Sequence, residues 1–324
     1  MRRGQGGPQR LHGEAPAGLL GLPAAALNEC AVAAAPRTLC LWAAAVRPRT
    51  LGGSIVPVLV GSAVAYAEGA HQAAVTVVCL VAAVLLQVGT NLANDALDFA
   101  RGIDTEQRVG PTRVTQAGLL SYRAVIGAAG LAFALAGLCG LYLATLGGAP
   151  VIAMGVAAIV AAVAYSAGPF PLGSHGLGEA AAFVFFGLVA VAGTAYIHTG
   201  ELSGAGLLAA IPVGALISCL MIVNNLRDIE SDARAGKRTL SVRLGAARTL
   251  RLYSALLGLA FVWPIVLWRV HAGALVSLAS VPLAIFAVSH LRAARTGEQF
   301  NRCLAETARM HAAYGGLLAL GFLV

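Results

Sequence analysis

Residues 205–245 read "AGLLAAIPVGALISCLMIVNNLRDIESDARAGKRTLSVRLG". The stretch from Ala205 to Val223 carries no charge, and at close to 20 residues it has the length of a membrane-crossing helix. Three acids then fall within five residues, Asp228, Glu230 and Asp232, followed by Arg234, Lys237 and Arg238. So dense a cluster at the end of an apolar helix needs either water or a strongly charged ligand.

The rest of the chain repeats the apolar pattern. Of 324 residues 58% are hydrophobic and 11% are charged, and the mean hydropathy is +0.80; soluble domains carry about 25% charged residues. Apolar runs of spanning length lie near 51–67, 73–93, 122–145, 150–167, 178–197, 205–226, 250–268, 272–291 and 305–324. The fold class expected is all-α: a polytopic membrane protein with nine transmembrane helices in a single bundle around a central cavity, spanning 39–324. Residues 1–38, rich in Ala, Gly, Pro and Arg and without a sustained apolar run, are read as a disordered cytoplasmic tail rather than a signal peptide. Gly130, Gly137, Gly140, Gly187 and Gly193 within the runs are expected to permit close helix packing.

Charge gives the orientation. With the N-terminus cytoplasmic, all of the 22 Lys and Arg except Arg269 fall in the tail, in the inward connections or at the helix ends beside them. Inner membrane loops carry such an excess, so the net charge of +8 is an orientation signal and no nucleic-acid partner is expected. The six cysteines form no CxxC pair; they read as small buried hydrophobes, with no disulfide framework or zinc site. His175, His198, His271 and His311 have no partner at metal-ligand spacing and read as loop or interface residues.

A second acid cluster matches the first. "NLANDALDFARGIDTEQRVGPTRVTQAGLLS" spans 91–121, four predicted spans earlier and on the same side. On a continuing helix Asn94 and Asp98 share a face at i, i+4, with Asp95 one step round and Asp104 beyond Gly102. Asn224, Asp228 and Asp232 form a second stripe at i, i+4, i+8, beside Asn225 and Arg227. Amide and carboxylate oxygens are hard ligands, and Mg²⁺ binds through one or two carboxylates plus substrate phosphate oxygens. Two such stripes facing one cavity would hold Mg²⁺ around a diphosphate, with Arg101, Arg108, Arg113, Lys237 and Arg238 taking the remaining phosphate charge. Any one of these acids is equally an ordinary hydrated loop residue. Two matched asparagine–aspartate clusters make a site.

These two motifs resemble those of the UbiA superfamily of intramembrane aromatic prenyltransferases. The N-x3-D part of the first family motif falls on Asn94 and Asp98, its third acid being displaced to Asp104, and the D-x3-D motif falls on Asp228 and Asp232. "WAAAVRPRTLGGSIVPVLVGSAVA" (42–65), "EQRVGPTRVTQAGLLS" (106–121), "YSAGPFPLGSHGLGEAAAFVFFGLVAVAGTAYIHTG" (165–200) and "LAETARMHAAYGGLLALGFL" (304–323) are similar to the 1,4-dihydroxy-2-naphthoate polyprenyltransferases of menaquinone biosynthesis. The resemblance covers residues 40–324.

It implies Mg²⁺-dependent transfer of a polyprenyl group from its diphosphate to the naphthoate, with loss of CO₂, by an enzyme of the cell's inner (plasma) membrane whose site loops are cytoplasmic. On this reading Asn94, Asp95, Asp98, Asp104, Asp228 and Asp232 ligate metal. Asn94 and Asn224 also bind substrate, with Arg101, Arg108, Arg113 and Arg238. Lys237, the only lysine, contacts the diphosphate. Tyr165 steadies the prenyl cation or orients the acceptor, and Arg47 either meets the acceptor carboxylate or anchors the chain at the interface. Another acceptor, such as 4-hydroxybenzoate or homogentisate, would leave the diphosphate half unchanged. An ion-coupled carrier also uses intramembrane acids, but explains only one of the two signs of charge.

Overall fold

Proline and glycine set the corners of the bundle. In the computed structural model, which describes residues 37–102 and 113–324, a short helix α1 (Arg37–Val46) meets α2 (Pro48–Ala67) at Arg47, which adopts a left-handed φ of 57°. Pro48 supplies the first position of α2, where its missing N–H costs nothing. Asn91 ties this corner down, donating to Val46 O and Thr50 Oγ1 at 2.8 Å each. Then follow α3 (Ala73–Ala100), α4 (Tyr122–Gly147) and α5 (Ala149–Ser166), the last two joined through Gly148 at φ 68°.

A 3-10 turn at Leu172–His175 leads into α6 (Gly178–Thr199), whose middle, Phe183–Ala192, winds as a π-helix. The central helix α7 (Gly204–Arg227) stops at Asp228, and two short helices follow, α8 (Ile229–Arg234) and α9 (Leu240–Leu244). The chain closes with α10 (Ala246–Leu267), α11 (Ala272–Ala293) and α12 (Gly297–Leu323). Thr296 and Gln299 start α12 with a reciprocal capping box.

Among the described residues eight helices, α2–α7, α10 and α11, are long and apolar enough to cross a membrane. The ninth predicted span is helical too, as α12, but Glu298, Arg302, Glu306 and Arg309 make its first half too polar to qualify on composition. Its apolar side is buried through Met310, Tyr314, Leu318 and Phe322 in the same core as α2, α7 and α10. No strand occurs among the described residues.

The layers differ in what they face. In α7, 72% of the most apolar stretch is buried, against 11% in α5. Leu131, Leu138 and Leu141 on α4 and Val156 and Val160 on α5 are more than half exposed, forming a wall suited to lipid. Such faces gain nothing from packing in a bilayer, so inner contacts depend on close fit. Gly187 meets Gly214 across α6 and α7, and Gly193 meets Met154. Gly130, Gly137 and Gly140 do not serve packing as expected, since a side chain there would meet open space; they lie on the outward side of α4.

Two smaller expectations are also corrected. Cys40 is disulfide-bonded, whereas Cys79, Cys139, Cys219 and Cys303 are free thiols. His198 and His311 are buried at 6% and 2% exposure. His198 accepts the Gln72 N–H and faces Thr76 and Ser62, because a polar ring at that end of the bundle needs internal partners.

Candidate functional site: an acid-lined pocket at one end of the bundle

Three helices end at the same place. The last turns of α3 (Asn94, Asp98), α5 (Tyr165, Ser166) and α7 (Asn224, Asn225, Asp228) line one pocket of about 90 Å³. Ser231, Asp232, Ala235, Lys237 and Thr239 from the chain after α7, Arg113, and the 172–175 turn complete it. A helix carries partial negative charge at its C-terminus. Three such ends converging on carboxylates give a strongly electronegative floor that demands cations.

The first motif is met by positive charge from two directions. Asp98 Oδ2 accepts from Arg113 Nη2 at 3.2 Å and lies 3.7 Å from Lys237 Nζ. Asn94 Oδ1 accepts from Ser166 Oγ at 3.0 Å, which joins α3 to α5. As expected from the i, i+4 spacing, Asn94 and Asp98 share the pocket face.

The second motif departs from a continuous helix. Asp228 is the break between α7 and α8, yet Asp232 N–H still bonds Asp228 O at 2.8 Å, so Asn224, Asp228 and Asp232 all line the pocket. The break lets Arg227 fold back along its neighbour. Its Nε and Nη2 donate to the two carboxylate oxygens of Asp228 at 2.8 and 2.7 Å, Nη2 also reaches Asn224 Oδ1 at 2.9 Å, and Nη1 reaches Asn301 Oδ1 on α12 at 2.9 Å. The two charged side chains are only 2% and 9% exposed. This guanidinium orients the motif from behind, a role that sequence reasoning did not assign to it.

Other expected site residues stand elsewhere. Asp95 does not line the pocket; both its oxygens accept backbone N–H groups, from Val114 and Thr115. Arg101 Nη1 donates to Ser166 O at 2.7 Å, satisfying a carbonyl at the end of α5. Arg238 contributes backbone: its N–H bonds Ser174 O at 2.8 Å and its carbonyl accepts from Arg243 Nε. Arg47 sits at the α1–α2 corner, outside the lining set. Asp104 and Arg108 lie outside the described residues. Tyr165 lines the pocket, its ring in contact with Gly173 and its hydroxyl beside Gly178; a side chain at Gly173 would collide with the ring.

One further acid lies behind the wall. Glu179, 5% exposed, accepts at Oε1 from Asn225 Nδ2 at 2.8 Å, which fixes the amide of a pocket residue. Its placement follows from the α6 N-terminus abutting α7, a contact no local sequence signal announces.

The donor set is entirely oxygen. Among the described residues no three His, Cys, Asp or Glu side chains stand close enough to hold a metal by themselves. A hard divalent ion takes few protein carboxylates and completes its shell from phosphate and water.

The UbiA prenyltransferase family model matches residues 54–310. The chain is 42% identical over 266 residues to a 1,4-dihydroxy-2-naphthoate octaprenyltransferase of Mycobacterium tuberculosis, covering 82% of this chain and 91% of that protein. It is 36% identical over 222 residues to the protein of the same name in Escherichia coli, covering 67% and 72%. In structure it is similar to a UbiA homolog from Aeropyrum pernix (TM-score 0.67, 19% identity, 85% of this chain and 98% of that one). A UbiA homolog from Archaeoglobus fulgidus bound to GPP and Mg²⁺ superimposes with a TM-score of 0.62 at 16% identity, covering 86% and 99%.

Proposed function

The chain belongs to the UbiA prenyltransferase family, and we propose that it transfers a polyprenyl group from polyprenyl diphosphate to 1,4-dihydroxy-2-naphthoate, with loss of CO₂, giving demethylmenaquinol. The observation that carries the diphosphate half is the convergence of both acid motifs, with Arg113 and Lys237, on one pocket. The acceptor follows from the relatives' names. An ion-coupled carrier is set aside by family membership.

Asn94, Asp98, Asn224, Asp228 and Asp232 would hold Mg²⁺ against the diphosphate. The ion supplies electrostatic stabilisation of the charge that builds on the leaving group. Arg113 and Lys237, both within reach of Asp98, would take the remaining phosphate oxygens by charge-assisted hydrogen bonds. Tyr165 would present its ring to the developing allylic cation or orient the acceptor. Water would turn the cation into an alcohol, so the bound substrates and the apolar helices beyond the polar pocket would have to keep it out. The lopsided Lys/Arg distribution supports a chain set in the inner (plasma) membrane with this end cytoplasmic.

The test is prenyl transfer by membranes containing the expressed chain, with labelled polyprenyl diphosphate and Mg²⁺, offered 1,4-dihydroxy-2-naphthoate and 4-hydroxybenzoate in parallel. Product from the naphthoate alone, lost in Asp98→Ala and Asp228→Ala, is the expected result. Product from the benzoate instead moves the acceptor assignment; no product from either, with intact protein, removes the reading.

A further inference from the structure

Asp95 stands between two pocket residues of the first motif but does not join them. It is 1% exposed. Oδ2 accepts the N–H of Val114 at 3.2 Å and Oδ1 that of Thr115 at 3.1 Å. These two N–H groups open a tight turn closed by Ala117 N–H to Arg113 O, Gly118 N–H to Thr115 O and Leu119 N–H to Val114 O, at 2.9–3.1 Å. The opening N–H groups of a helical turn have no partner inside it. A buried carboxylate that takes two of them is a charge-assisted cap supplied from a distant helix. The residue directly before those N–H groups is Arg113, 5% exposed, lining the pocket and bonded to Asp98.

We propose that Asp95 is a positioning residue: it latches the 113–115 turn to α3 and thereby aims the Arg113 guanidinium at Asp98 and the diphosphate, touching neither metal nor substrate itself. Two consecutive polar residues on α3 then divide the work, because successive side chains point about 100° apart on a helix. Asn94 faces the pocket and Asp95 faces the turn. The charge matters as much as the shape. Asparagine in this place would accept one N–H but offer an NH₂ to the other, exchanging a hydrogen bond for a donor–donor conflict.

The kinetic test rests on the prenyl-transfer reading above. It compares wild type, Asp95→Asn, Arg113→Ala and the double variant for the KM of polyprenyl diphosphate, the KM of the acceptor and the Mg²⁺ half-saturation. Asp95→Asn is expected to raise the diphosphate KM about tenfold. The acceptor KM and the Mg²⁺ half-saturation stay within about twofold, and nothing further is lost in the Arg113→Ala background. A Mg²⁺ half-saturation that rises with the diphosphate KM, effects that multiply in the double variant, or wild-type kinetics in Asp95→Asn each overturns the proposal.

Amide exchange on the wild type supplies a readout that needs neither a variant nor turnover. The Val114 and Thr115 amides are expected to exchange slowly, and exchange at the rate of an open loop overturns the latch. If the wild type transfers no prenyl group, the functional reading fails separately; amide exchange and Mg²⁺–pyrophosphate binding by the same four proteins then decide the role of Asp95.

Discussion

Lys237 Nζ lies 3.7 Å from Oδ2 of Asp98, so a cation that follows the second acid motif in the chain neutralises the first. The two halves of the pocket are thus joined by charge as well as by packing. Replacing Lys237 with alanine is expected to lower kcat/KM for the diphosphate substrate about 10- to 100-fold, the worth of one charge-assisted contact. Arginine at this position restores part of the loss, because the charge returns on a differently shaped group. Steady-state kinetics on purified protein in detergent checks both.

The Arg227–Asp228 pair predicts a split between stability and activity. With both partners nearly inaccessible, Arg227→Ala leaves a buried carboxylate uncompensated and is expected to cost about 3–5 kcal/mol of stability. Removing both charges together in Arg227→Ala/Asp228→Ala regains much of the stability and none of the turnover. Thermal unfolding alongside the transfer assay separates the two effects. A loss of stability in the double variant equal to the sum of the losses in Arg227→Ala and Asp228→Ala alone would mean that the pair is not coupled.

Chelation is expected to stop turnover, with Mg²⁺ restoring it. Mg²⁺ plus pyrophosphate also stabilises the folded protein, by about 2.7 kcal/mol at a hundredfold excess over Kd. The stabilisation disappears in Asp98→Asn, since it depends on the pocket oxygens. A melting curve indifferent to the pair would remove the diphosphate assignment.

Two sets of glycines should respond in opposite ways. A side chain on Gly273 would run into the backbone of Gly321, and one on Gly321 into that of Gly273, so alanine at either position is expected to destabilise by about 1–3 kcal/mol. Gly130→Ala on the open side of α4 is expected to be neutral or to stabilise by up to about 1 kcal/mol through helix propensity. Thermal unfolding of the three variants compares them directly.

The span boundaries were legible because apolar length and flanking charge are local properties. The segments read at 73–93 and 205–226 are the cores of α3 and α7. Which helix lies inside was not legible, since apolar residues suit lipid and protein interior alike; α5 and α7 read alike, yet only α7 is largely buried. Asn94 and Asp98 were placed correctly on one face by their spacing. The place of Asp95 outside the pocket is not legible, because its partners are two backbone N–H groups, which leave no trace in residue identity. The Arg227–Asp228 pair is not legible from spacing, since neighbours at i, i+1 do not face each other within a helix; the break at Asp228 brings them together.

The hydrogen bond from Arg238 N–H to Ser174 O draws two connecting segments together at the pocket, and it uses main chain on both sides. The Ser174 and Arg238 side chains are consequently not needed for this link between the two segments. Ser174 lines the pocket and can change without loosening that clasp, whereas Thr239 also caps α9 by accepting the Val242 N–H. A substitution at Ser174 then reshapes the pocket wall on a fixed frame, so that part of the wall is evolvable at little cost to folding.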